Sequence, residues 1–262
     1  MKVNWQWLNW TGGARRKRLR LLSQKAVLVL PQLRQWNGLS SAERAKLQHW
    51  VTEFCEQKYW EGCRGLELTD EMKLLIAGHA GLLVLGWDEQ FYFPSVRSVL
   101  VHPSHFVAPQ RTQLGSGLHI ESQSTLEGQA WHRGPVIISW IDVIEPDRGT
   151  PHNLVVHEFS HQLDMLNGGS ADGMPPLPIS NERLWKTVNL RAMKQLQHMC
   201  ENRQYSVLDC YGCESPAEFF AVSSEAFFEA PHELSASFPE LFEQLTMYYR
   251  SAPRQWFPNY DT

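Results

Sequence analysis

The chain has 262 residues, of which 43% are hydrophobic and 20% charged, and its formal net charge is −4. This length suits one large domain or two small ones, and the composition excludes a disordered, collagen-like or coiled-coil protein. The negative charge argues against a direct nucleic-acid partner, because nucleic-acid-binding domains are usually basic. The 11 histidines raise the question of whether some imidazoles bind a metal or transfer protons.

The sequence predicts a cytoplasmic protein without a transmembrane segment. Its longest strongly apolar stretch, residues 74–87, is shorter than the ~20 residues that a spanning helix needs. At the N-terminus the basic cluster follows the aromatic residues, which is the wrong order for a signal peptide. The five cysteines are few and odd in number, so we expect reduced thiols and not a disulfide framework.

The N-terminal part is predicted to be helical after a basic tail over residues 1–24. The first helical stretch is expected over 26–60, where Ser40 and Glu43 form a capping box. A second helix is expected over 69–87. We expect one main domain over 25–250 and a short C-terminal tail over 251–262.

Strand patterns follow these helices, and more helices come after the strands. The β-branched and aromatic residues of 134–143 make the clearest strand. The other predicted elements are strands at 90–101 (interrupted at Pro94) and within 117–130, and helices at 151–166, about 181–202, 216–229 and 239–250. This order predicts an α+β domain with a small mixed or antiparallel sheet and a helical C-terminal lobe.

The strongest chemical signal is an HExxH motif formed by His157, Glu158 and His161. On a helix, residues i and i+4 share one face, so both imidazoles can bind one zinc ion. The sequence supports such a helix, because Thr150 can cap it and its apolar residues recur at helical spacing. The competing interpretation is a pair of buried core histidines without a metal.

A zinc site needs a third protein ligand, and the helix at 216–229 offers two candidates. Glu218 and Glu225 lie seven residues apart and therefore on one helix face. A carboxylate on an apolar face is costly unless it is paired, and a metal supplies that pairing. Glu218 also completes a capping box with Ser215, so the residue pattern leaves the two candidates open.

Two further patterns have competing interpretations. Asp164 lies on the same helix face as both motif histidines, where it could orient an imidazole N–H or simply face solvent. Cys210 and Cys213 form a CxxC pattern, which is either a redox or zinc site or two ordinary thiols. The sequence contains no second CxxC, so a zinc ribbon lacks half of its ligands.

The segments around these residues resemble the Mlc titration factor A peptidases. The matching motifs are HEFSHQLD from His157, the strand GPVIISWIDV before it, and the run DCYGCESPAEFFAVSSEAFF from Asp209, with a weaker match at 99–107. The resemblance covers roughly residues 40–250. That family is similar to the catalytic domain of anthrax lethal factor, which is a zincin.

The resemblance implies a zincin-like fold with one Zn²⁺ per chain. The ligands would be the two motif histidines and Glu218, while Tyr211 would face the metal and Glu225 would be a buried supporting carboxylate. It also implies an intracellular, aminopeptidase-type metallopeptidase that binds the glucose-responsive repressor Mlc and so regulates phosphotransferase-system genes.

The expected reaction is metal-assisted hydrolysis of a peptide substrate. Glu158 is expected to act as the general base and Tyr211 to donate a hydrogen bond to the oxyanion. The strand at 134–143, including Ser139 and Trp140, is expected to pair with an extended substrate. The alternative is a latent or non-catalytic zincin scaffold that acts only by binding the repressor.

Overall fold

The computed structural model describes residues 5–104, 110–113, 119–122, 134–145, 151–168 and 170–257. Within them the α-helices are α1 Trp5–Val29, α2 Ser41–Gln57, α3 Asp70–Leu82, α4 Trp140–Ile144, α5 Leu154–Asp164, α6 Ile179–Glu201, α7 Pro216–Glu229, α8 Pro231–Ser237 and α9 Pro239–Tyr249. The strands are β1 Tyr59–Gly62, β2 Ser98–His102, β3 Gln110–Gln113, β4 His119–Ser122 and β5 Val136–Ser139. Short 3₁₀ helices include Met165–Asn167 and Cys210–Cys213.

Helix α1 differs from the basic tail predicted over residues 1–24. Leu22 and Ala26 of α1 are fully buried in the main core. Arg18 donates two hydrogen bonds, of 2.9 and 2.5 Å, to the carboxylate of Asp70, and Lys25 contacts the same carboxylate at 3.1 Å. The basic residues here pair with acidic side chains of neighbouring helices, which the local sequence pattern does not reveal.

Helices α2 and α3 begin at residues that cap them. The side chain of Ser40 accepts from the Glu43 backbone N–H, and the Glu43 carboxylate accepts from the Ser40 N–H, so the predicted capping box is present. Thr69 caps α3 by accepting from the N–H of Met72. Both helices end earlier than predicted. Helix α2 ends at Gln57, just before β1, and α3 ends at Leu82.

The central sheet has three parallel strands in the order β1-β2-β5, so the predicted mixed or antiparallel sheet is wrong for these strands. Parallel pairing needs a long crossover, and α3 lies within the connection from β1 to β2. Strands β3 and β4 form a separate antiparallel pair. The rest of the predicted strand region at 117–130 lies outside the described residues.

Strand β5 is shorter than predicted and lies at the edge of the described sheet. It pairs with β2, with Leu100 opposite Ile137, and no other described strand pairs with it. The chain becomes helical at Trp140, so Trp140 begins α4 and is not part of the strand as predicted. β5 packs beside α5, which places the sheet edge next to the HExxH motif.

The C-terminal half is a helical lobe, as predicted. The bounds of α7 are those expected from the sequence, α6 and α9 agree within a few residues, and the short helix α8 was not predicted. Helix α5 packs against α7 and is anchored to the N-terminal core by Phe159, whose ring centroid lies 4.8 Å from that of Phe93. None of the described helices is long and apolar enough to cross a membrane.

A disulfide joins Cys200, at the end of α6, to Cys210, at the start of the 3₁₀ helix Cys210–Cys213. The prediction of reduced thiols is therefore wrong for this pair, whose Cα atoms lie 5.9 Å apart. Cys213 is a free thiol, so the two cysteines of the CxxC motif are not bonded to each other. The packing of α6 against the 3₁₀ helix decides this pairing, and the sequence spacing does not show it.

Candidate metal centre

Helix α5 carries the two motif histidines through the interior of the protein. All of its residues are buried, and Asn153 caps it by accepting from the N–H of Val156. The predicted cap, Thr150, lies outside the described residues. Because His157 and His161 are one turn apart, their Nε2 atoms lie on the same side of the helix, 3.2 Å from each other.

Helix α7 brings Glu218 to the same point. Ser215 caps α7, and Glu218 at the third helical position projects its carboxylate towards α5. Its Oε2 atom lies 3.1 Å from Nε2 of His157 and 3.3 Å from Nε2 of His161. Within the described residues, these three side chains form the one group of histidine, cysteine or acidic residues placed to hold a metal ion.

The chemistry of the three atoms fits a cation. Two imidazole nitrogens and one carboxylate oxygen are the donor set that zinc accepts in three-ligand sites. Burial opposes charge on His157, but its contacts with Glu218 and Glu225 raise its pKa well above the ordinary value. Burial also opposes charge on Glu218, yet the two histidines hold its pKa well below the ordinary range. A metal ion supplies the positive charge that this arrangement favours.

Glu225 lies behind the metal ligands and not among them. Its Oε1 atom is 2.7 Å from Nδ1 of His157, so the imidazole N–H donates to this carboxylate and Nε2 is left to bind a metal. Its Oε2 atom accepts from the backbone N–H of Asn153 and lies 3.0 Å from Nδ1 of His152. Of the two candidates that the sequence pattern left open, Glu218 is therefore the one that reaches both Nε2 atoms.

Glu158 is buried beside the two histidines. It is 1% exposed, and its Oε2 atom has no hydrogen-bond partner among the described residues. Burial raises its pKa to about 7, while the nearby imidazoles of His157 and His161 act in the opposite direction. A buried carboxyl oxygen without a hydrogen-bond partner is costly. Such an arrangement is typical of a group that exchanges protons during a reaction.

Tyr211 lies at the open side of the centre. Its ring centroid is 6.1 Å from that of His157, and the side chain is 43% exposed. The backbone N–H of Tyr211 donates to Asp209, which caps the 3₁₀ helix Cys210–Cys213. The disulfide at Cys210 holds this short helix against α6, so it also holds Tyr211 near the histidines.

Asp164 is fully buried at the end of α5, so it does not face solvent. Its Oδ2 atom accepts from the backbone N–H of Gly173 at 2.7 Å, which ties the segment after α5 to this helix. Gly173 has a φ of +75°, and a Cβ there would lie 2.5 Å from the carbonyl oxygen of Pro216. Nδ1 of His161 and Oδ1 of Asp164 are both buried without a hydrogen-bond partner among the described residues.

The predicted substrate strand lies near the centre, but its two named residues differ in position. Ser139 ends β5 and is fully buried, and its Oγ atom has no partner among the described residues. Trp140 is partly buried against the core as the first residue of α4. Among the described strands, the edge of β5 is therefore unpaired up to Ser139, and the strand does not extend as far as predicted.

Sequence reasoning missed the polar residues that lie behind the ligands. Asn153, His152 and Glu229 form hydrogen bonds or ion pairs around Glu225 or the start of α5. Glu229 follows Glu225 by one helical turn, which was the available signal for a second inward-facing carboxylate. No local pattern indicates that His79 contacts this group through Asn153.

The chain is similar over most of its length to known metallopeptidases. The family model described as "Glucose-regulated metallo-peptidase M90" matches residues 8–250. Proteins named Mlc titration factor A from Yersinia pestis (strain Pestoides F) and Yersinia pseudotuberculosis (serotype O:1b) are 30% identical over 249 residues, which cover 94% of this chain and 91% of theirs. Members of a metallopeptidase family bind a metal ion, so a metal ion is implied for this chain as well. The chain therefore belongs to the glucose-regulated metallopeptidase family M90.

Proposed function

We propose that this protein is a zinc-dependent peptidase of the aminopeptidase type, with one Zn²⁺ held by His157, His161 and Glu218. The observation that carries the proposal is the meeting of these three side chains beside the buried carboxyl group of Glu158. Structural zinc sites usually have four protein ligands, whereas catalytic sites have three and leave one position for water or substrate. A zincin-like architecture, similar to that of the anthrax lethal factor catalytic domain, is part of the proposal.

The residues around the ligands have distinct roles in this proposal. Bound zinc supplies Lewis acidity, which polarises the scissile carbonyl and makes the attacking water more acidic. Glu158 accepts a proton from that water and delivers it to the leaving amine, a task that suits a pKa of about 7. The Tyr211 hydroxyl donates a hydrogen bond to the oxyanion that develops on the carbonyl.

Two further features support the orientation of ligands and substrate. Glu225 fixes the ring of His157 through a hydrogen bond. We propose Asp164 as a nearby carboxylate that supports His161 without a direct hydrogen bond, because Nδ1 of His161 and Oδ1 of Asp164 have no hydrogen-bond partner among the described residues. An extended peptide substrate pairs with the edge of β5, whose last residue is Ser139, and Trp140 flanks it. This edge lies beside α5, which brings a paired peptide close to the catalytic carboxylate.

Glu158→Gln is the decisive test of the enzyme. The substitution keeps the size of the side chain but removes the base, so we expect one zinc ion per chain and loss of hydrolysis of aminopeptidase substrates. Glu243→Gln, the same change at an exposed position on α9, is the matched control and keeps activity. Hydrolysis at the wild-type rate by Glu158→Gln would show that another residue is the base.

A second function is suggested by the names of the relatives, which are called Mlc titration factor A. We propose that this protein also binds and inactivates an Mlc-type repressor in the cytoplasm. The alternative is that repressor binding is its only function and that the metal centre is latent. Glu158→Gln separates these functions, because a protein that acts only by binding still relieves repression in a reporter strain.

A cytoplasmic location has one feature against it. The disulfide between Cys200 and Cys210 is of a kind that is uncommon in the reducing cytosol. Mass measurement of alkylated cysteines in protein taken directly from cells determines whether this bond forms where the protein acts. A reduced Cys200 in that sample supports the cytoplasm, and an oxidised one contradicts it.

A further inference from the structure

Asn153 makes more hydrogen bonds than a helix cap requires. Its Oδ1 atom caps α5 by accepting from Val156 N–H at 3.1 Å. Its Nδ2 atom donates to Oε1 of Glu229 at 2.6 Å and to Nδ1 of His79 at 2.9 Å. The side chain is 7% exposed, so both ends of the amide are committed inside the protein.

The backbone of Asn153 is linked to a metal ligand. Its N–H donates to Oε2 of Glu225 at 2.5 Å, and Oε1 of the same carboxylate accepts from Nδ1 of His157 at 2.7 Å. A shift of residue 153 therefore moves the carboxylate that sets the plane of the His157 ring. The ring plane decides where the Nε2 lone pair points.

Glu229 is the anchor of this arrangement. Besides Asn153, its carboxylate accepts from Nε2 of Gln35 at 3.0 Å and from Nη1 of Arg34 at 3.3 Å. Gln35 is fully buried and also donates to the carbonyl of Phe228. Glu225 and Glu229, one turn apart on α7, thus both hold Asn153 at the start of α5. Glu225 binds its backbone N–H, and Glu229 binds its side-chain amide.

We propose that Asn153 is a positioning residue that, held by Glu229, orients His157 for metal binding through Glu225. This inference rests on the metal centre proposed above. A residue that only capped α5 would need only its side-chain oxygen. Nδ2 of Asn153 makes two further contacts, to Glu229 and His79, which hold residue 153 in place. Removal of Nδ2 therefore weakens metal binding while the cap remains.

Asn153→Ser separates the cap from the positioning role. Serine caps helices about as well as asparagine but has no second donor to reach Glu229. We expect the Kd for Zn²⁺, measured by competition with a chelating dye, to rise about 10–100-fold. The absorption spectrum of the Co²⁺-loaded protein should change as well, because the geometry of the His157 ligand changes. The metal-free variant should unfold at a moderately lower temperature, because Glu229 and His79 each lose a hydrogen bond from Nδ2 of Asn153.

Thr69→Ala is the control, because it removes the cap of α3 away from the centre. We expect it to lower the unfolding temperature and leave the Kd for Zn²⁺ unchanged.

Exchanging the donor and the acceptor between residues 153 and 229 gives a second, independent test. Asn153→Asp keeps the cap but replaces the donor by an oxygen facing Glu229, and Glu229→Gln added to it restores a donor–acceptor contact with the roles exchanged. Zinc affinity should fall in the single variant and recover in part in the double variant, because the Oε1 position of Glu229 also accepts from Nε2 of Gln35, a contact that the exchange of roles weakens.

The outcomes distinguish this inference from the proposed function. Wild-type protein that binds no Zn²⁺ refutes the metal centre itself. If the wild type binds Zn²⁺ and Asn153→Ser binds it equally tightly with an unchanged Co²⁺ spectrum, only the positioning role is wrong. A loss of affinity that also occurs in Thr69→Ala, in proportion to lost stability, overturns the positioning role too, because stability alone then accounts for it.

Discussion

Oε2 of Glu218 lies 3.1 Å from Nε2 of His157, although the two residues are 61 positions apart in the chain. Their contact joins α5 and α7, which pack closely along this part of the molecule. Two groups that both carry lone pairs attract each other only with a proton or a cation between them. The helix packing thus creates a candidate cation site that neither helix forms alone.

Glu218→Ala should abolish stable zinc binding. The loss of a direct ligand should exceed the roughly 10–100-fold loss of affinity that is typical of a residue which only orients a ligand. Zinc content after dialysis, measured by atomic emission, tests this expectation. The control is Glu214→Ala, an exposed carboxylate four residues earlier, which should keep its zinc. Full zinc occupancy in Glu218→Ala would exclude Glu218 as a ligand.

Tyr211→Phe should lower kcat by about 10²–10³-fold with little effect on zinc content. The phenyl ring can keep its place beside His157, but it has no hydroxyl to donate to the oxyanion. Steady-state kinetics on a peptide substrate tests this, with Tyr59→Phe on the exposed face of β1 as the control. A change in KM alone would assign Tyr211 to substrate binding.

Cys200→Ser should lower the free energy of unfolding by about 2–3 kcal/mol, the size expected for a cross-link that closes a loop of about ten residues. Urea unfolding with and without dithiothreitol measures this effect, and the two proteins should become alike under reducing conditions. Cys63→Ser removes a free thiol and serves as the control. Equal stability of wild type and Cys200→Ser without reductant would argue against the bond.

Asp70→Asn should destabilise the protein at neutral pH by up to about 1 kcal/mol, because surface ion pairs contribute little. Hydrogen bonds from Arg18 hold the pKa of Asp70 down at about 2, below its ordinary value of 3.8. The pair therefore stabilises the fold above pH 4, and this contribution is lost as the pH falls through 2.

Unfolding of wild type and Asp70→Asn across this pH range tests the attachment of α1. The difference between the two proteins should be constant from pH 7 to about 5 and shrink towards pH 2. It should also decrease in high salt, which screens ion pairs. A difference that grew on acidification would contradict the role assigned to Arg18.

Local signals predicted the elements on which the centre is built. The i, i+4 histidines of α5 share one face because of helix geometry alone, and the caps at Ser40 and Ser215 were visible as short motifs. The α7 bounds also followed from a proline near the start and an apolar run. The parallel sheet and the Cys200–Cys210 bond were not predicted, because both depend on how distant segments pack.

The sequence by itself therefore determined that one helix presents two histidines and a glutamate at metal-binding spacing. Only the tertiary structure decided which glutamate of α7 meets them, and it placed Glu218 at the Nε2 atoms and Glu225 behind His157. The physical reason is the distance along the chain over which each interaction acts. Capping and periodicity act within one or two turns, whereas a metal centre needs side chains from two helices, and their relative placement is set by the buried core that both helices share.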